Sequence, residues 1–186
     1  MSQVGDRSDE QSFAQLVREL ERPIGSFLAH MTSDRMLAAD LMQETFLVAW
    51  RERKQAPKDP AERRAWLYGI ARNRALSALR TRRRGAHALR RLLARSPPAA
   101  RERPADEAIA MRDLLVRTLG PTDRSLFVLR YVHHFDSPEL AALTGIHQDA
   151  LRKRLQRASR RLAYAYEQIE QTPDQEIPNV QADAPI

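Results

Sequence analysis

Apolar residues recur at helical spacing along most of the chain, and no stretch alternates as a half-buried strand would. The periodicity predicts helices over residues 11–31, 34–54, 61–83, 105–119, 122–134, 138–144 and 148–168. Pro23 should interrupt the first, because proline has no N–H to give to the helix ladder. Ser33 or Asp34 is the expected N-cap of the second. The two prolines of KQAPKDPAE mark a loop after it. Gly120-Pro121 separates two later helices by ending one and starting the next. Gly85, Pro97, Pro98 and Pro104 predict a linker over 85–104, with a short helix around 87–94. From Thr172 onward three prolines and no apolar pattern predict a disordered tail.

The third helix has two faces. At 100° per residue, with Asn73 at 0°, Leu67, Tyr68, Ala71, Ala75, Ala78 and Leu79 fall between about 120° and 240°. That is the expected core face. Trp66, Gly69, Ser77, Arg80 and Arg84 fall within about 40° of Asn73. A tryptophan beside an amide, a hydroxyl and arginines suits unstacked bases: the ring stacks, the amide reads a base edge and the guanidinium groups meet phosphates. The alternative is a Trp66 folded back onto the domain edge beside solvated arginines.

The stretch SPELAALTGIHQDALRKRLQRA carries the helix-turn-helix pattern. Ser137 is the expected N-cap, with Pro138 at the first helical position. Ala141 is small where two helices would cross, and Gly145 can take the positive φ of the turn. Ile146, Leu151 and Leu155 would pack the second helix onto the first. Opposite Leu151 lie Asp149, Lys153, Gln156 and Arg160, flanked by Arg152 and Arg157, a polar and basic face of the kind a recognition helix presents to a major groove. An ordinary amphipathic hairpin is the competing reading.

Composition narrows the classes. The 186 residues are 42% hydrophobic and 30% charged, with 6% aromatic residues and only 6 glycines, which favours helix over sheet. No apolar run is long enough for a membrane span, and the polar, acidic N-terminus does not resemble a secretory signal. The chain has no cysteine, so disulfides, cysteine-ligated zinc and thiol chemistry are excluded, and a cytoplasmic location is expected. His30, His87, His133, His134 and His147 form no metal-ligand pattern, and there is no phosphate loop or nucleophile elbow. No catalytic residue, metal or cofactor is therefore expected, and the chain reads as a non-enzyme. Charge is segregated: net −4 over residues 1–50, +13 over 51–103, −2 over 104–146, +5 over 147–166 and −5 over 167–186. Two separate positive blocks suggest two footprints on a polyanion.

With these features in place, the chain resembles a bacterial RNA polymerase sigma factor of the extracytoplasmic-function (ECF) group within the sigma-70 family. DLMQETFLVAWR at 40–51 is similar to the polymerase-binding part of sigma region 2. WLYGIARNRALSALRTRRR at 66–84 is similar to the helix of that region that melts and reads the −10 element. The segment 119–162 is similar to region 4, which reads the −35 element. The resemblance implies an all-α fold of two small helical domains, a region 2 bundle of three or four helices and a region 4 helix-turn-helix domain, joined by a flexible linker. It places region 2 at 11–84, the linker at 85–104, region 4 at 105–168 and an acidic tail at 169–186.

The same resemblance implies the partners: core RNA polymerase, met at its β′ clamp helices and β flap, promoter DNA, and an anti-sigma factor, with no direct membrane insertion. Asp40, Gln43 and Glu44 would face polymerase. Lys58, Arg63 and Arg64 would border a pocket for a flipped −10 base, and Trp66, Asn73, Ser77 and Arg80 would follow the opened strand. Gln148, Asp149, Arg152, Lys153, Gln156, Arg157 and Arg160 would meet the −35 duplex. Two departures stand out: His147 where Ser or Thr usually caps the recognition helix, and His133-His134 where a small or acidic pair is usual. The linker is also unusually basic, with Arg90, Arg91, Arg95, Arg101 and Arg103. The runner-up reading is a helix-turn-helix regulator that works without polymerase; it accounts for 137–162 and leaves DLMQETFLVAW without a purpose.

Overall fold

The computed structural model describes residues 3–92 and 107–171, and the side chains within them except those of 3–9, 87–92 and 170. Seven helices follow one another among these residues: α1 (Gln3–Thr32), α2 (Arg35–Arg51), α3 (Pro60–Leu92), α4 (Glu107–Thr118), α5 (Pro121–Tyr131), α6 (Ser137–Thr144) and α7 (Gln148–Gln171). The all-α expectation holds. The predicted disordered tail, and Arg95, Arg101 and Arg103 of the predicted linker, lie outside the described residues.

Local chemistry accounts for the element ends, and several differ from expectation. Pro23 does not break α1, which runs through it. The helix bond that proline forfeits would have gone to the Glu19 carbonyl, at an exposed position where solvent can take its place. Asp34 caps α2 by accepting from Leu37 N at 3.0 Å, and Arg82 of α3 donates to the same carboxylate at 2.9 Å. The Leu37 amide, then Arg82, hold the Asp34 carboxyl below its usual range. Helix α2 stops at Arg51 rather than 54; a 3₁₀ turn over Arg53–Gln55 follows, with the Arg53 guanidinium stacked 3.9 Å from the Trp50 ring centroid and donating to Trp50 O. Helix α3 passes Gly85 and continues to Leu92, beyond the expected end at 83. One glycine costs about 1 kcal/mol inside a helix, and the arginine-rich and alanine-rich sequence around it offsets that. Asp136, not Ser137, caps α6: its carboxylate accepts from Glu139 N, and the Glu139 carboxylate accepts from Asp136 N, each at 2.7 Å.

The first three helices form one module. Helix α1 packs on α2 and α3 through Ile24, Phe27, Leu28 and Met31, all fully buried, against Leu41 and Ala49 of α2 and Leu67, Ala71 and Ala75 of α3. The α1–α2 crossing is close: a Cβ on Gly25 would stand 3.3 Å from Met42 Sδ. The last four helices form the second module around Leu115, Leu126, Leu129, Leu140, Leu151 and Leu155. Gly145 takes φ +68° at the end of α6, a left-handed conformation that glycine adopts without a Cβ penalty, so the chain turns there into α7.

The modules are in contact. Helix α1 lies against α4 and α5, and α3 lies against α5 and α6. The burial of Phe27, Tyr68, His133 and Phe135 joins them, and this packing covers one side of α3 and leaves the other open.

His147 occupies the N-cap of α7. Its carbonyl accepts from Leu151 N at 3.0 Å, but its ring Nδ1 sits 3.4 Å from Asp149 N, a long contact for a cap. His147→Ser should therefore stabilise the chain by about 0.5–1 kcal/mol, read as a higher urea midpoint with an unchanged slope.

Candidate nucleic-acid interface

Helix α7 carries the more clearly built of two basic surfaces. Leu151, Leu155, Ala158, Leu162 and Ala165 are buried along one side. Asp149, Lys153, Gln156 and Arg160 are exposed on the opposite side, flanked by exposed Arg152 and Arg157, whereas Gln148, also exposed, sits in the first turn nearer the buried stripe, about 60° from Leu151. Arg152 Nη2 lies 3.4 Å from Asp149 Oδ1 one turn earlier, so part of its charge is balanced locally. Arg154 points differently: its Nε lies 3.3 Å from Asp123 of α5 and ties the helix to the module. An exposed row of amide and guanidinium donors over a rigid apolar base can read acceptor edges in a groove while meeting phosphates.

The predicted −10 set does not stay together. Asn73, Ser77 and Arg80 are exposed on the outward side of α3. Trp66 shares that stripe but is half-buried and packs on the core, so only part of its ring is open for stacking. Lys58 is exposed in the loop before α3. Arg63 closes that loop, donating to Pro57 O at 3.1 Å and Lys58 O at 2.6 Å.

Arg64 lies on the opposite side of α3, about 180° from Asn73. It donates to His133 O at 2.5 Å, and its guanidinium sits 4.2 Å from the Phe135 ring centroid and 5.3 Å from that of Tyr68. One and two turns on, Tyr68 Oη and His133 Nδ1 share a 2.8 Å hydrogen bond, and Arg72 Nε donates to Ser125 Oγ at 3.0 Å. Arg64, Tyr68 and Arg72 thus form an i, i+4, i+8 stripe given over to the second module. A further tie runs from the Ser33 hydroxyl, which donates to the Asp113 carboxylate of α4. Sequence reasoning placed Tyr68 on the buried face but missed what its hydroxyl meets. The available signal was the stripe itself, three polar-tipped residues at four-residue spacing along the edge of an apolar face.

Burial sets the charge state of this contact. It pushes the His133 imidazole down to about 4, helped by the neighbouring His30, Arg64 and His134, so the ring is neutral at pH 7. It pushes the Tyr68 phenol up to about 12, opposed by Arg64. Arg72 is lowered by burial and then by the nearby Arg154.

The third surface is acidic. Asp40, Gln43 and Glu44 are exposed on one side of α2, between Met36, 75% exposed, and Leu47, 56% exposed. Two carboxylates framed by large apolar side chains offer both charge and hydrophobic area to a partner. Among the described residues, no helix is long and apolar enough to cross a membrane.

Comparison with known proteins agrees with this geometry. Residues 16–85 match the family described as Sigma-70 region 2, and residues 113–162 match Sigma-70, region 4. The chain is 36% identical over 144 residues to the RNA polymerase sigma factor CarQ of Myxococcus xanthus, covering 75% of this chain and 80% of that protein. It is 30% identical over 159 residues to a protein of Xanthomonas campestris pv. campestris named as a probable RNA polymerase sigma factor, RfaY; that match covers 80% of this chain but only 39% of the relative's length. Among solved structures, the fold is shared with the sigma factor RpoE of Bartonella quintana, solved in complex with the anti-sigma factor NepR, at a TM-score of 0.68 and 22% identity over 84% of this chain and 98% of that one. It is shared also with CnrH, solved with the cytosolic domain of CnrY, at a TM-score of 0.62 and 24% identity over 85% and 89%. Two region matches in the expected order, a relative matched over most of its length and the two-module helical fold together make this chain a member of the sigma-70 family of RNA polymerase sigma factors, of the ECF type.

Proposed function

We propose that the chain binds core RNA polymerase and directs it to promoters by reading a −35 duplex with α7 and an opened −10 strand with α3. The observation that carries this is the set of seven exposed polar and basic side chains on α7, seated on buried Leu151, Leu155 and Ala158. Residues 11–84 act as region 2, 85–104 as the connection, 105–168 as region 4 and 169–186 as an acidic extension. Arg and Lys on α7 meet guanine edges and phosphates, and Gln148 and Gln156 suit adenine.

On α3, Trp66 supplies a partial stacking surface, Asn73 and Ser77 read base edges, and Arg80 meets the backbone, with Lys58, Arg63 and Arg64 at the loop end. Unpairing costs a few kcal/mol per flipped base, which capture against the protein offsets. The two footprints act on one DNA, so the second binds at high effective concentration once the first is engaged. Residues 93–106 span at most about 50 Å when extended, which bounds how far apart the two reading surfaces can move.

The acidic stripe Asp40, Gln43 and Glu44 faces polymerase at its β′ clamp helices, and region 4 meets the β flap. An anti-sigma protein governs access to these faces, as NepR is bound to RpoE in the solved relative. The chemistry is recognition and strand opening and leaves any bond-making to the polymerase.

Run-off transcription tests the reading. Core polymerase with this chain should start at discrete sites on genomic template, and core alone should not; absence of any chain-dependent start overturns it. Arg152→Ala and Lys153→Ala should each weaken binding to the upstream element by roughly 2- to 5-fold, as loss of an exposed charge contact of about 0.5–1 kcal/mol implies, with core binding unchanged in a pull-down. Glu44→Lys should lower affinity for core polymerase several-fold at low salt, measured by fluorescence anisotropy, with unchanged circular dichroism.

A further inference from the structure

The open face of α7 contains one residue that binding to a polyanion does not call for. From Gln148 to Arg161 the helix holds six cations and a single carboxylate, Asp149. That side chain is 65% exposed and shares its row with Lys153, Gln156 and Arg160. A carboxylate there repels phosphates, so it works against sequence-independent binding. Its neighbours are Arg152, with Nη2 3.4 Å from Oδ1, and His147, with Nδ1 3.9 Å from Oδ2. The second distance is too long for a hydrogen bond, which leaves Oδ2 open to a donor from outside.

We propose that Asp149 and Arg152 are a specificity-determining pair that reads one C·G base pair of the upstream element, Asp149 accepting from the cytosine N4 amino group and Arg152 donating to O6 and N7 of the paired guanine. This pairing rests on α7 reading the −35 duplex, as proposed above, and assigns one base pair to two of its side chains. Position supports it. A recognition helix meets base edges with its N-terminal residues. Asp149 is in the first turn of α7 and Arg152 begins the second. Arg160 lies about 16.5 Å further along the helix than Asp149, more than the ~12 Å width of a major groove. Arg160 is therefore placed for phosphates, and Asp149 for bases.

The chemistry of the groove selects the base pair. A C·G pair shows one donor, cytosine N4–H, next to two acceptors, guanine O6 and N7. A carboxylate held 3.4 Å from a guanidinium matches that order, with the acceptor at the donor and the forked N–H groups at the two acceptors. An A·T pair also has a donor, adenine N6–H, but N7 and O4 stand on both sides of it, so the carboxylate would meet a repelling neighbour. Guanine in place of the cytosine sets acceptors against the carboxylate, and thymine offers a methyl group and an acceptor. Discrimination thus comes from repulsion of the wrong pairs as well as attraction to the right one. The Arg152 cation also offsets part of the Asp149 charge, which lowers the cost of bringing a carboxylate up to DNA.

Holoenzyme assembled from core polymerase and the full chain tests the pair. Templates carry a promoter found by run-off, with each base pair of the upstream element varied in turn. At limiting holoenzyme the parent chain should favour C·G over the other three pairs at one position by about 5- to 150-fold in transcript yield, the discrimination that one well-placed bidentate contact gives. Asp149→Asn keeps the shape and removes the charge. It should abolish that preference and move it toward A·T, because an amide suits adenine N6 and N7, with the other positions read as before. Asp149→Ala should abolish it without a new preference, and Arg152→Ala should weaken it at the same position. The competing role for Asp149 is a first-turn carboxylate that steadies the helix end. That role gives both Asp149 variants a lower urea midpoint and parental base preferences throughout, a result that overturns the pair. Loss of a preference for any pair other than C·G overturns it as well. No transcript from the parent chain on any template overturns the functional reading, and the pair falls with it; parental transcripts whose base preferences ignore Asp149 overturn the pair alone.

Discussion

The arrangement of the two modules depends on placing a phenol, an imidazole and a guanidinium inside an aromatic cluster, where each must find a partner. Polar groups taken from water cost free energy unless they are hydrogen-bonded. Across the boundary the Tyr68 hydroxyl pairs with His133 Nδ1 at 2.8 Å and the Arg64 guanidinium with the His133 main-chain carbonyl at 2.5 Å, while His133 Nε2 stays buried without a hydrogen-bond partner among the described residues. Such contacts admit one relative orientation, because a small displacement leaves buried groups unpaired.

Charge is distributed to suit that outcome. The positive surfaces of α3 and α7 face solvent, and the acidic stripe of α2 lies apart from them. The junction itself is an unfavourable place for further cations: Arg72 is buried near Arg154, and burial, with His30, Arg64 and His134 nearby, pushes His133 away from protonation. Docking is held by directional hydrogen bonds and by the packing of the fully buried Phe27, Tyr68 and Phe135.

Much of the fold was legible because amphipathic periodicity is a local property. The stripe Leu151, Leu155, Ala158, Leu162 and the polar face opposite it follow from spacing alone, as does the turn at Gly145. The ends of helices were less legible. Helix α1 passes Pro23 because the forfeited bond falls on an exposed carbonyl, and Asp136 displaces Ser137 as the cap because Glu139 can complete a reciprocal box with it. Both depend on three-dimensional surroundings or on competition between neighbouring caps, which spacing does not rank.

The sequence by itself determined the helical class, the family, and the exposed rows of α2 and α7, because each requires only which residues share a face of one helix. It also carried the oddity of His133-His134 without its meaning. Tertiary structure decided that Arg64 turns away from Asn73 to meet the His133 carbonyl, that Trp66 is half-covered, and that Tyr68 bonds to an imidazole sixty-five positions distant. Those outcomes depend on where a second module docks, and docking is a sum of long-range contacts that no local pattern encodes.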